Sequence, residues 1–492
     1  MVIAHFFGTS REIEIFFATN IIIYVAMKLS QAGEMSEIIL PIYHKFKYDV
    51  NLETAQRVVS TVLNWYAIAL LLLSFIVFMI APLLIKVIVP GFGKTDHILG
   101  TQMIRAVSPL LVIMFLSGQI QTLINAEKIF GFPEAIGVAS RIILIITVVL
   151  GYNYFSIWIM IISLWVSTLL NFFLLLIYYY RAGNRHYFQL TDQRVSVLPI
   201  VKKIWSTLPY VGATQIWAIV FNAGLSTLPG GSLAIFTYSR TLVLKLSSVF
   251  LRPMSIVFFT YFSEEYSKKR ESLHSITSKA LEYIPLIIVP SIIIFILAGE
   301  YVLGFLWYGD KFGLNSIELS SRIVTILLLM LLIEGLYTIA RKIVMSFGYV
   351  RLTYSLLSIS QILTACYAFP AIKYWGVNGA ISSIIVNMLL LTMVPFIILL
   401  LKEKQYLFFY KFSTLMKWIL SGGLAYIVLS ILNHNITNLI NMQNIRLNFM
   451  FNAGITSILA TSITLGFAAL FNIIIVKNSL QKIINRVKLV FV

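Results

Sequence analysis

The chain is 492 residues long, 59% hydrophobic and 11% charged, with a formal net charge of +18. Soluble domains average about 25% charged residues, so this composition excludes a water-soluble globular protein and belongs in a bilayer. Nucleic-acid binding is not indicated either, because the basic residues sit in short loops between apolar runs. The single cysteine, Cys366, has no partner for an intrachain disulfide. No cleavable signal peptide is needed, since the first apolar run is short and many more follow.

In chain order, a short apolar start at 1–7 is followed by thirteen spanning candidates. They lie near 13–44, 56–90, 99–125, 133–152, 156–180, 199–228, 232–262, 276–299, 317–346, 352–372, 377–401, 414–433 and 449–476. About 20 apolar residues cross a bilayer, and several of these stretches are longer. Tilt or kinks are therefore expected, with Pro41, Pro109, Pro253 and Pro285 as places for them. The loops alternate in charge. One set carries 24 lysines and arginines, among them Lys45, Lys47, Arg185, Lys268, Arg341, Lys402 and Lys488; the other carries seven, among them Arg11, Lys94, Lys311 and Arg446. The positive-inside rule makes the first set cytoplasmic, and with it the C-terminus. The net charge then needs no partner beyond the anionic inner leaflet.

A faint internal repeat runs at one offset. Lys28-Leu29-Ser30 recurs as Lys245-Leu246-Ser247, 217 residues on. Arg105 and Arg322, Ala81 and Ala298, Phe130 and Phe347, and Gly131 and Gly348 share that offset. A shift of six helices preserves orientation, so the expected fold is an all-α polytopic membrane protein with two parallel six-helix lobes. The expected boundaries are 1–182 for the N-terminal lobe, 183–198 for a cytoplasmic linker and 199–402 for the C-terminal lobe. Residues 403–492 would hold two extra helices and a cytoplasmic tail. In this fourteen-helix plan the first helix is truncated, because the counterpart of the helix starting near Pro199 would begin before Met1. A start codon assigned too late is the expected cause.

Charged side chains within the membrane usually face a cavity or a partner. The helix near 232–262 enters from the outer side, which puts Arg240 about 12 Å and Lys245 about 20 Å deep. Lys245 and Arg252 share a face, and Arg240 is rotated from it by about 140°. Lys28, the repeat partner of Lys245, would lie across the lobe interface at similar depth. Arg240, Lys245, Lys28 and Arg252 therefore form a candidate cationic cavity for an anionic head group, since lysine and arginine match phosphate oxygens. The competing reading is that they snorkel to the interface or pair with glutamates. Glu14, Glu34 and Glu334 are candidate charge partners or proton carriers.

Catalytic constellations are absent from the sequence. There is no G-x-x-x-x-G-K-[ST] phosphate loop, so the expectation is a transporter without ATPase activity rather than an enzyme. The six histidines have no metal-ligand spacing, and no nucleophile, base and acid cluster. No cofactor or metal is expected. Aromatics at 177–181 and 305–310 read as interfacial anchors.

"AP" at 81–82 followed by "PGF" at 90–92 resembles the end of the third helix in the MurJ (MviN) lipid II flippase family. "FFGTSREIEIFFA" (6–18), "RAVSPLL" (105–111), "LINAEKIFGFP" (123–133), "FTYSR" (236–240) and "WYGDKF" (307–312) resemble further stretches of that family, in order. This resemblance spans nearly the whole chain. It implies a member of the multidrug/oligosaccharidyl-lipid/polysaccharide (MOP) exporter superfamily in the bacterial inner membrane, serving peptidoglycan biosynthesis, cell wall biogenesis and cell shape. Two lobes would alternately open a cationic cavity and carry undecaprenyl-pyrophosphate-linked precursor (lipid II) outward, its tail in a groove lined by the last two helices. Membrane lipids, and a coupling ion or the membrane potential, are the implied partners.

The same resemblance places Arg240 on a cavity arginine of the family, and Lys28 beside the position of another, which is Met27 here. Glu14 stands where an aspartate is usual. Ala32 occupies the place of an acidic residue, with Glu34 two positions on. The alternatives are a flippase for another polyprenyl-linked glycan of O-antigen or capsule type, or an inactive, truncated paralogue acting as a membrane scaffold. A drug/cation antiporter fits less well, because its cavity would be acidic rather than basic.

Overall fold

The computed structural model describes residues 2–29, 35–129, 131–192, 198–267, 273–403, 412–439, 444–471, 473 and 476. They form α1 (Val2–Phe7), α2 (Arg11–Leu29), α3 (Met35–Asp49), α4 (Leu52–Ile88), α5 (Lys94–Val107), α6 (Leu110–Ala126), α7 (Gly131–Phe155) and α8 (Trp158–Arg181). These are followed by α9 (Leu198–Leu225), α10 (Ser232–Ser267), α11 (Leu273–Trp307), α12 (Leu314–Ser346), α13 (Val350–Lys402), α14 (Phe412–Leu439) and α15 (Ile445–Leu470). Among the described residues there is no strand beyond one isolated bridge, Gly309 to Phe312. The protein is an all-α polytopic membrane protein. Eight stretches of the described chain are long and apolar enough to cross a bilayer.

Local chemistry sets the helix ends. Asn51 caps α4 by accepting the Thr54 N–H at 2.8 Å. The expected span at 99–125 is two helices, α5 and α6, broken at Ser108 and Pro109. Proline lacks the N–H that would continue the ladder, so this break falls where the sequence suggests. At 53 residues α13 would be about 80 Å long, far more than a bilayer, and it divides at Gly376. That glycine has φ 60° and ψ −131°, a left-handed conformation that suits a residue without Cβ. In α11 the break falls at Ala298 (φ −134°, ψ 17°) rather than at Pro285. The neighbouring Gly299 packs against Ser321 of α12 at this bend, where a Cβ would overlap the serine hydroxyl. The backbones of α3 and α10 run on through Pro41 and Pro253.

The main core joins both halves of the chain. It includes Ile13, Ile15, Ala81, Ile85, Met103 and Val107 from the first half with Phe221, Ala234, Leu303, Phe312 and Val324 from the second. A second core, around Tyr43, Val59, Phe115, Ile124 and Tyr179, knits α3, α4, α6 and α8 together. The last two helices pack on α11: Trp418 and Ala468 meet Val289, and Leu429 and Ala460 meet Ile293. Leu71, Leu72, Phe75, Ile76, Met79 and Leu83 form a wholly apolar exposed face on α4. Such a face is sustainable in lipid and not in water.

Candidate functional site

Between the halves, α2 packs on α9 and α10, and α4 packs on α9. At the end of this seam formed by Gly8, Gly91 and the start of α10, the contact is tight. Gly8, at φ 54°, lies against the Lys311 carbonyl, and Thr9 N–H donates to the same oxygen at 3.2 Å. Gly91 of the "PGF" turn lies against the Ser226 backbone, and its N–H donates to Ser226 Oγ at 3.1 Å. A Cβ at either glycine would overlap backbone atoms of the opposite half, so only glycine permits these approaches. Glu14 is 1% exposed. Its Oε1 accepts the N–H groups of Leu233 (3.0 Å) and Ala234 (3.4 Å), at the N-terminus of α10. Its Oε2 takes Arg11 Nη1 at 2.9 Å. A carboxylate on α2 thus caps a helix of the other half, where free N–H groups and the helix dipole favour negative charge.

Below this closure lies a cavity of about 410 Å³. Tyr24, Met27 and Lys28 of α2 form one wall, and Arg240 of α10 enters beside them. The rest of the lining is Tyr210, Val211, Thr214, Gln215, Trp217 and Ala218 of α9 with Gln361 and Asn387 of α13. Small residues let α9 and α13 approach closely, as where Gly224 sits under Ile372. Arg240 is half-buried, with its guanidinium carbon 5.4 Å from the Trp217 ring centroid, a cation–π distance. Lys28 lies 5.7 Å from the Tyr24 ring. No carboxylate is among the described lining residues. Glu334 of α12 is within electrostatic range of Arg240 from outside the cavity, and it accepts the Ser247 hydroxyl at 3.3 Å.

The structure therefore brings Arg240 and Lys28 into one cavity, with Glu334 behind Arg240. Lys245 does not join them. It is exposed and outside this lining, because five residues turn a helix by about 140° from Arg240. Glu34 and the Arg252 side chain lie outside the described residues. Glu14 is far along α2 from the cavity and binds the start of α10 at the tight end of the seam. Sequence reasoning passed over Gln215, Gln361 and Asn387, which carry no charge, and Trp217. It also passed over Arg141, which lines a second cleft between α6, α7 and α8 with Glu134, Ser140, Ser167 and Asn171.

The fold is that of a polytopic helical membrane protein with a cavity bearing two cations, Arg240 and Lys28, between its halves. The profile of the family described as "Lipid II flippase MurJ" matches residues 3–432, and the chain belongs to that family. A curated relative, the probable lipid II flippase MurJ of Buchnera aphidicola subsp. Baizongia pistaciae, is 22% identical over 353 residues, 69% of each chain. Among solved structures, a lipid II flippase MurJ in an inward closed conformation matches with TM-score 0.75 at 19% identity, covering 96% of this chain and 95% of that one. An inward-facing multidrug resistance MATE family transporter of the MOP superfamily matches with TM-score 0.61 at 15% identity, over 80% and 91% of the two chains.

Proposed function

We propose that this chain moves lipid II from the cytoplasmic to the outer leaflet of the bacterial inner membrane by alternating access, with its C-terminus in the cytoplasm. Residues 1–182 and 199–402 act as the two moving lobes, joined by the linker 183–198, and residues 403–492 form an appendage. The observation that carries this reading is the meeting of Lys28 and Arg240 in one cavity whose outer end is shut by Glu14, Gly8 and Gly91. Two cations lining one cavity match a pyrophosphate and repel other cations.

Alternating access then follows from charge. Each uncompensated cation in the cavity gives the membrane potential a handle of about 2.3 kcal/mol per 100 mV. An inside-negative potential draws the empty cavity toward its inward-open form, and a bound pyrophosphate cancels that bias and allows outward opening. The decisive experiment is rescue of bacteria depleted of their own lipid II flippase. The unmodified chain is expected to restore growth, and Arg240→Ala at equal membrane abundance is expected to fail. Absence of rescue by the well-expressed unmodified chain would refute lipid II transport, and insensitivity of transport to uncouplers would refute the coupling.

A further inference from the structure

Residues 184–190, which follow α8, run along α4 between Gln56 and Trp65 and turn their own polar groups toward it. The carbonyls of Tyr187 and Gln189 accept from Asn64 Nδ2, that of Leu190 from Trp65 Nε1, and that of Arg185 from the Tyr179 hydroxyl. The Tyr187 N–H donates to Ser60 Oγ, and Gln56 Nε2 to Asn184 Oδ1. Backbone groups satisfied by side chains need no water, which is the condition for lying against lipid. The Gln189 N–H closes onto the Tyr187 carbonyl at 3.0 Å, a three-residue turn with Phe188 at its apex. That phenyl ring is 93% exposed, and Leu190 and Trp65 beside it are each 45% exposed.

We propose that this strap docks on lipid: Phe188 and Leu190 insert at the edge of the cytoplasmic leaflet, and Arg181 and Arg185 hold the phosphate of an anionic phospholipid there. The cytoplasmic assignment rests on the flippase reading above; the docking itself does not. Depth supports it. The exposed apolar face of α4 runs from Ile68 to Val87, 20 residues or about 30 Å, which is the thickness of the hydrocarbon core. Trp65 and Asn64 lie three and four residues before that face, about 5–6 Å, inside a headgroup layer about 5–7 Å thick. Phe188, held at the level of Asn64, sits in the same layer, where aromatic rings are favoured. Charge supports it as well. Arg57 is paired with Glu53 at 2.8 Å, whereas Arg181 and Arg185 are exposed and have no ion pair among the described residues. Basic residues at this level complement anionic headgroups. The apolar patch also continues into the lipid-facing side of α4, which selects a bilayer over a protein partner. Because the strap opens the proposed linker 183–198, a lipid bound there pins that linker to the first of the two proposed lobes.

The test uses the full chain with Cys366→Ser, carrying an environment-sensitive fluorophore on Phe188→Cys or, as an aqueous reference, on the exposed Asp49→Cys. The protein is placed in nanodiscs containing phosphatidylcholine or phosphatidylglycerol with a nitroxide near the top of the acyl chain. The label at 188 is expected to be quenched by the nitroxide lipids and spared by iodide in the buffer, and the label at 49 the reverse. Phosphatidylglycerol is expected to quench 188 better than phosphatidylcholine, and high salt to weaken that preference. Arg181→Gln and Arg185→Gln are each expected to lower the preference about fivefold. All these positions are exposed, so Tm should not change; if Phe188→Cys fails to fold, Leu190→Cys carries the same comparison. Iodide quenching at 188 equal to that at 49 overturns the proposal, and so does a lipid preference unchanged in both arginine variants. A label screened from both quenchers, in nanodiscs and in detergent alike, also overturns it and makes the patch a protein contact. Labelling of Asp49→Cys by an impermeant thiol reagent added outside intact cells would overturn the cytoplasmic assignment and the topology of the flippase reading, a failure separate from the nanodisc result.

Discussion

Arg240 shows how one residue can be both costly and informative. A guanidinium inside a membrane is tolerated because it faces a polar cavity, lies over the Trp217 ring and has Glu334 within electrostatic range. Its planar fork can grip two phosphate oxygens at once, which a lysine ammonium cannot. Arg240→Lys keeps the charge and loses that grip, so lipid II translocation in vesicles should slow about tenfold rather than stop, in line with one lost charge-assisted hydrogen bond. Full activity of the lysine variant would show that only charge is used. The same economics explains what the sequence made legible here. A cation in an apolar run costs enough to mark Arg240 and Lys28 as candidates. Gln215, Gln361 and Asn387 are cheaper to bury and leave no such mark; only the fold shows that they share a wall with Trp217. Lys245 carried the same charge signal as Arg240, and the turn of the helix sends it elsewhere.

At the scale of elements, the connection after α8 is the least expected feature. Composition marks 183–198 as a polar linker, yet residues 184–190 lie strapped along the start of α4. Asn64 Nδ2 donates to the carbonyls of Tyr187 and Gln189, both at 2.9 Å. Trp65 Nε1 donates to the Leu190 carbonyl at 2.7 Å, and Gln189 Nε2 donates to the Arg57 carbonyl at 3.0 Å. With both amide protons of Asn64 committed, its Oδ1 faces His186 Nε2 at 2.8 Å, so that nitrogen carries the proton. No sequence periodicity announces such side-chain-to-backbone bonding, whereas the helix break at Pro109 was readable from the residue itself. Burial pushes the pKa of His186 below its ordinary value. The unfolded chain therefore binds a proton that the folded strap resists, and stability falls as pH drops below about 6.5. Tm should decline between about pH 7.5 and about pH 5.5, and His186→Gln should flatten that decline. Superimposable profiles for the two proteins would place the titrating group elsewhere.

For the whole molecule, the proposed alternating access raises the question of what holds the tight end, outer in that proposal, shut, since a carrier must exchange that closure for another. Among the described residues, the contacts that cross between halves there include Gly8 with Lys311, Gly91 with Ser226, Lys311 with Tyr152, Thr9 with Gly231, and Glu14 on the first turn of α10. Glu14 is the strongest of them, because a buried carboxylate accepts two backbone N–H groups at a helix N-terminus and is itself held by Arg11. A hydrogen bond to a charged group is worth about 1.5–3 kcal/mol, and this one joins a residue of α2 to α10 across the seam between the halves. Its loss should therefore bias the protein toward outward opening rather than simply unfold it. Each 1.4 kcal/mol is about a tenfold change in that equilibrium. The measurement is labelling of a cysteine at Thr214, on the cavity wall, by a membrane-impermeant thiol reagent applied from outside, with the exposed native Cys366 replaced by serine. Glu14→Ala should raise the labelling rate about tenfold or more, and Glu14→Gln, which keeps an acceptor oxygen but no charge, should fall between it and the parent. An unchanged rate in both variants would mean that the other contacts between the halves hold this end closed, and that Glu14 stabilises α10 in both states of the carrier.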